Sequence, residues 1–163
     1  MDSMLTLRPA EIADVPQMLA YIRELAEYER EPHAVLATET DLLRDGFGPE
    51  KRYDCIMAEW EGAPAGFALF FYNYSTWRGR AGIHLEDIFV RPAFRGKGIG
   101  KALLIRVAAI AVEQKCGRLV WDVLEWNAPA IGFYEEMGAK MLTEWRIMRV
   151  DGDALLALAG KDK

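Results

Sequence analysis

The sequence predicts a mixed α/β domain whose first half is largely antiparallel. Three observations predict it. Apolar residues switch between helical and strand spacing in the order β-α-α-β-β-β-α-β-α-β. Three strand-like runs follow one another through the middle, and Glu61-Gly62-Ala63 joins the first two at hairpin spacing. A long amphipathic helix then begins at a glycine-rich turn. The 163 residues make about one domain, taken as 1–163, long enough to bury a core without metal or disulfide staples.

Each element has a local reason. Met4–Arg8 alternates and reads as a short strand ended by Pro9. Over Glu11–Tyr28, Ile12, Val15, Leu19, Ile22 and Leu25 fall at helical spacing, with Pro16 near the start, where proline is tolerated. Thr38–Arg44 is a second short helix with Thr38 as N-cap, broken by Gly46-Phe47-Gly48-Pro49. Tyr53–Trp60, Pro64–Tyr72 and Arg80–Val90 are the three strands, the last ended by Pro92. Gly98–Lys115 is the long helix, with Ile99, Leu103, Val107, Ile110 and Ala111 on one face. A strand over Arg118–Glu125 follows. Asn127–Met137 is a helix capped by Asn127 and stopped by Gly138. Lys140–Val150 reads as a final strand and Asp153–Leu158 as a terminal helix.

Composition narrows the function. Apolar residues at 52% and charged residues at 28% are ordinary for a globular chain. A net charge of −5 argues against nucleic-acid binding and fits a positively charged small partner better. Cys55 and Cys116 lack metal-ligand spacing and read as free, buried thiols, so no metal is expected. The N-terminal residues do not read as a secretory signal. No run of about 18 apolar residues is present, so no membrane partner is expected and the cytoplasm is the default.

The strongest local signal is His84–Lys101. A strand runs into Pro92, and a loop carrying Arg95, Gly96, Lys97, Gly98, Ile99, Gly100 and Lys101 leads into a helix. Closely spaced glycines let backbone N–H groups converge, and a helix N-terminus adds unpaired donors. Segment 91–106 holds Arg91, Arg95, Lys97, Lys101 and Arg106 and no acid, a reversal of charge within an acidic protein. Together these describe a pyrophosphate seat. A dinucleotide fingerprint starting at Gly96 needs glycine where Lys101 stands, and the Walker pattern fails as well.

Arg95-x-x-Gly98-x-Gly100 after an acidic-apolar strand resembles the coenzyme A signature of the GNAT acetyltransferases. Leu85-Glu86-Asp87-Ile88-Phe89-Val90, Glu125-Trp126-Asn127, Phe133-Tyr134 and Gly138-Ala139 extend the resemblance in the same order. Leu25–Glu29, Asp45–Gly48 and Tyr74–Gly79 make the chain similar to the spermidine/spermine N1-acetyltransferase family, including its thialysine-acetylating branch. The resemblance spans roughly 5–161. It implies the GNAT fold: a central, mostly antiparallel sheet of six to seven strands, splayed at its fourth strand and flanked by helices. It also implies acetyl-CoA as co-substrate. Backbone at Ile88, Phe89 and Val90 would pair with the pantetheine, Arg95–Lys101 would seat the pyrophosphate, and Asn127, Ala128, Pro129 and Ala130 would meet the coenzyme from the neighbouring helix. A homodimer is implied too.

Acetyl transfer to an amine needs a neutral nucleophile, although an alkylamine has a pKa near about 10. It also needs a donor to the developing oxyanion and a proton for the departing thiolate. Glu86, a carboxylate on an apolar strand, is the candidate to take the amine proton through water or to hold the amine. Asp87 faces away from it if the alternation holds. His84, two residues from Glu86, is read as a packing or surface residue. Tyr134 lies two helical turns after Asn127 on the same face, and the resemblance makes it the general acid. The resemblance also places substrate contacts at Tyr28, Glu29, Trp121 and Asp122. Glu144 is the candidate to replace a further acidic contact that the resemblance places in the stretch Leu142–Arg146, which is shorter by about two residues than in the polyamine enzymes. A lysine-like or thialysine-like amine therefore fits at least as well as a diamine or polyamine.

Two other readings differ in what they require. A protein lysine or N-terminal acetyltransferase needs an open peptide groove, whereas the cluster of Glu24, Glu27, Glu29 and Glu31 near the end of the first helix suits a compact cation. A non-catalytic acyl-CoA-binding module would keep Arg95–Gly100 without needing Tyr134 and Glu86.

Overall fold

The structure is a computed structural model that describes residues 4–161. The chain forms two compact units, one running to Leu124 and one starting at Glu125.

The first unit is built on a sheet in the order β1-β2-β3-β4-β5. Its strands are β1 (Leu5–Pro9), β2 (Asp54–Trp60), β3 (Ala63–Ser75), β4 (Arg80–Val90) and β5 (Leu119–Val120). The first four pair antiparallel in sequence order, and β5 joins β4 in parallel. The β2–β3 turn works because Glu61 and Gly62 both take positive φ, 49° and 83°, which matches the twist of a tight hairpin.

Alternation divides the sheet residues between two cores. Cys55, Met57, Phe67, Leu69 and Phe89 face α1 (Val15–Tyr28) and α2 (Glu39–Phe47), where they pack with Val15, Met18, Leu19, Tyr21 and Leu42. The intervening Ile56, Ala58, Ala68 and Phe70 are also buried. Their face meets α3 (Ile99–Glu113), which packs through Ile99, Leu103, Leu104, Val107 and Ala111. The Thr38 hydroxyl caps α2 by accepting from the Asp41 N–H at 3.2 Å, and the Asp41 carboxylate accepts from the Thr38 N–H at 2.9 Å.

Among the described residues the sheet has five strands rather than the expected six to seven. Of Arg118–Glu125, only Leu119 and Val120 join a ladder. Residues 140–150, expected as the final strand, form none. An alternating side-chain pattern gives a strand only when a neighbour accepts its backbone groups, and this segment has no ladder partner among the described residues. The second unit contains α4 (Ala128–Glu136) and α5 (Gly152–Leu158). Cys55 is buried as expected, but Cys116 is only half-buried.

Candidate active site

β4 carries the first half of the site. Its ladder to β5 is two residues long, Ile83 with Leu119 and His84 with Val120. From Leu85 to Val90, β4 runs on with no β5 partner among the described residues. This is the expected splay at the fourth strand, and it leaves the backbone of Ile88, Phe89 and Val90 beyond the parting point. The Phe89 side chain is buried in the α1-facing core, so only its backbone is available to a ligand.

A bulge sits at the same place. Phe70 pairs with Leu85 and Leu69 with Asp87, leaving Glu86 as an extra residue in β4. Such an insertion bends the strand and re-aims its side chains. It also breaks the simple alternation on which Asp87 was set aside. Leu85 and Phe89, both buried, now serve opposite faces, and Asp87 stands opposite Leu69 on the α1 side.

The consequence is electrostatic. Asp87 is partly buried, and that burial, with the negative charges of Glu86 and Glu29, raises its carboxyl to about 7. Burial and the charge of Glu86 raise Glu29 as well. Three carboxylates from the end of α1 and the bulge of β4 thus form one interacting group. Glu86 is the exposed member, and its Oε2 lies 3.5 Å from His84 Nε2. His84 stacks on Phe71 with ring centroids 5.1 Å apart.

The second half is the turn after β4. Gly96 and Gly98 adopt φ of +79° and +77°, a left-handed conformation that side-chain-bearing residues avoid. Gly98 is the N-cap of α3, and no side chain caps that helix. Its first N–H groups are therefore offered to an anion. Arg95 and Lys97 flank them, and both are exposed. The Arg95 guanidinium lies 5.2 Å from the Tyr28 ring, and Lys97 Nζ lies 5.1 Å from the Trp60 ring. Arg91 is engaged elsewhere: it donates to both carboxylate oxygens of Glu24, each at 3.0 Å. The glycine conformations, uncapped helix, basic side chains and parted strand fit a coenzyme diphosphate with an extended arm.

The structure thus brings Glu29, Glu86 and Asp87 into one group, and joins Tyr28 to Arg95. Trp121 and Asp122 follow β5 directly, outside its ladder. The remaining expected residues lie in the second unit. There Asn127 caps α4, its side-chain oxygen accepting from the Ala130 N–H at 3.4 Å, with Pro129 in the first turn. Tyr134 lies on α4 with its ring 5.4 Å from that of Phe133. Glu144 is exposed in a turn. Asp87 was not expected in this group, and Arg91, read among the basic residues of the pyrophosphate seat, is held by Glu24 instead. Two adjacent acids inside an apolar strand were the available signal for Asp87.

This constellation belongs to an acyl-transferring class of enzyme. Residues 17–139 match the acetyltransferase (GNAT) family, and the chain belongs to that family. It is 42% identical to the thialysine N-epsilon-acetyltransferase of Bos taurus, across 95% of this chain and 97% of that protein. It is 44% identical to the L-ornithine N5-acetyltransferase of Arabidopsis thaliana, across 78% of this chain and 53% of that protein. Among solved structures it superposes on an integron cassette protein from the mobile metagenome of V. cholerae with a TM-score of 0.81 and 26% identity, covering 97% and 99% of the two chains.

Proposed function

We propose that the protein is an acetyl-CoA-dependent N-acetyltransferase acting on a primary amine of a small cationic molecule, of the lysine, thialysine or diamine kind. The observation that carries this reading is the group of three carboxylates, Glu29 at the end of α1 with Glu86 and Asp87 on β4, the strand that leads directly into the glycine turn. A compact alkylammonium supplies the positive charge such a group lacks. The thialysine- and ornithine-acetylating relatives support the substrate class.

Bound acetyl-CoA supplies an acetyl thioester. Arg95, Lys97 and the N–H groups opening α3 hold its diphosphate, and the backbone of Ile88, Phe89 and Val90 aligns its arm. Asn127, Ala128, Pro129 and Ala130 are assigned further coenzyme contacts by the family resemblance. Asp87 and Glu29 hold the cationic substrate with Tyr28, Trp121 and Asp122, and the family resemblance assigns Glu144 a further substrate contact. Glu86, the most solvent-accessible of the three carboxylates, removes one proton from the ammonium directly or through water. Tyr134 gives one proton to the departing sulfur and is restored by the second proton that the nitrogen of the tetrahedral adduct sheds, so the ammonium loses two protons, one to Glu86 and one that ends on the coenzyme thiol.

We infer further that 1–163 acts as one acetyltransferase domain, which the family match across the boundary at Leu124 supports. A homodimer is the proposed assembly. Exposed Ile147 and Met148 are apolar surface of the kind a second copy covers. The cytoplasm is the proposed location.

Free-thiol release from acetyl-CoA tests the reading, run against thialysine, lysine, ornithine, spermidine, putrescine and a lysine-containing peptide. Turnover is expected with the small diamines or basic amino acids. Turnover with the peptide alone would refute the small-molecule assignment.

A further inference from the structure

The turn after β4 and the end of α1 meet through two unlike contacts. Arg91 makes the firm one. Its bidentate pair with Glu24 holds two parallel hydrogen bonds of 3.0 Å, and its guanidinium lies 4.9 Å from the ring of the fully buried Tyr21. Arg95 makes the loose one. Its guanidinium lies 5.2 Å from the Tyr28 ring, its Nε donates to the Val90 carbonyl at 3.1 Å, and the Tyr28 side chain is 43% exposed. An exposed cation–π contact is weak enough to be exchanged for another partner.

We propose that Tyr28 is a positioning residue for Arg95, and that their contact makes coenzyme and amine bind with positive coupling. The inference rests on the proposed function, in which Arg95 serves the diphosphate and Tyr28 the amine. The guanidinium has a single charge to place. Over Tyr28 it covers a ring face that a cationic amine would use, and it stands near the end of α1, where Glu29 attracts the same amine. Drawn to a diphosphate by charge-assisted hydrogen bonds, it leaves that face to the amine. An amine seated on the ring conversely releases Arg95 to the diphosphate, since coupling between two binding sites is reciprocal. Arg91 stays in place throughout, so the exchange need not disturb the strand end.

The test is calorimetric binding of coenzyme A to the full chain, with no amine and no turnover. Tyr28→Leu removes the ring that holds Arg95 and is expected to tighten coenzyme A binding about two- to fivefold. Tyr28→Phe keeps the ring and is expected to match the wild type. In an Arg95→Gln background the gain from Tyr28→Leu is expected to vanish. Tyr28→Gln is the second ring-removing variant and is expected to act in the same direction. Unchanged or weaker binding in both ring-removing variants overturns the proposal. So does an equal gain in the Arg95→Gln background, because the effect then bypasses Arg95. A wild type that binds no coenzyme A defeats the underlying functional reading instead.

Discussion

The phosphate turn and the carboxylate group handle opposite charges by opposite means. The turn is local, lying within Arg95–Lys101, and works with backbone N–H groups fixed by two left-handed glycines. Its backbone donors are dipoles and its flanking cations, Arg95 and Lys97, are exposed, so nothing charged has to be buried before a ligand arrives. The carboxylate group draws on the end of α1 and the middle of β4 and carries full charges. Burial and mutual repulsion hold Asp87 near 7, well above its usual range. The proposed anion site therefore buries no like charges, whereas the proposed cation site holds like charges whose repulsion a bound cation would relieve.

The largest effect expected separates chemistry from both binding regions. Tyr134→Phe should lower kcat by about a hundredfold or more, in the range general-acid catalysis contributes. Coenzyme A affinity should stay within a factor of two by calorimetry. Unchanged turnover would remove the general-acid assignment.

Gly98→Ala should damage only the phosphate side. An added Cβ meets nothing within 4 Å, so the penalty is the left-handed backbone itself, about 1–2 kcal/mol. If the turn relaxes to escape that strain, coenzyme A binding weakens about tenfold while the amine KM measured at saturating acetyl-CoA changes little. A matching rise in amine KM would show that the two regions do not separate in this way.

Asp87→Asn should damage only the amine side, with a signature in pH. In the wild type, ionisation of Asp87 through about pH 7 strengthens its attraction for the ammonium. Part of the rise in kcat/KM across pH 6–8 should therefore disappear in the variant. Stability should move the other way. The folded carboxyl ionises at a higher pH than in the unfolded chain, where its pKa is near about 4. Its contribution is fully present below that pH and is lost as pH rises through about 7. Removing the charge should therefore stabilise the fold at pH 8 by roughly 1 kcal/mol, or about 2–4 °C, and very little at pH 4. Equal melting shifts at both pH values would contradict the burial argument.

The smallest functional effect is expected outside both regions. Thr38→Ala removes the α2 cap and should cost about 1 kcal/mol in denaturant unfolding, with kcat/KM unchanged.

The two regions also differ in how readily the sequence shows them. The left-handed turn at Arg95–Lys101 and the helix it opens were readable because glycine spacing, basic charge and the following helical pattern all lie in one short window. The Arg80–Val90 strand and the Thr38 and Asn127 caps were readable for the same local reason. The pairing of Asp87 with Glu86 and Glu29 was not. It depends on the bulge, and a bulge is a relation between β4 and β3 that neither strand announces alone. The Glu24–Arg91 pair joins residues far apart in the chain, which no local spacing relates. The final strand failed conversely: residues 140–150 have the pattern, but a ladder needs a second strand to answer it.

Gly96 and Gly98 combine open space at the missing side chain with a left-handed backbone. What the turn demands there is handedness rather than smallness. A mirror-image alanine introduced at either position by chemical ligation prefers positive φ. It would also narrow the conformations open to the unfolded chain, which glycine leaves wide. The phosphate turn of this enzyme is thus a place where a D-residue should outperform the natural one.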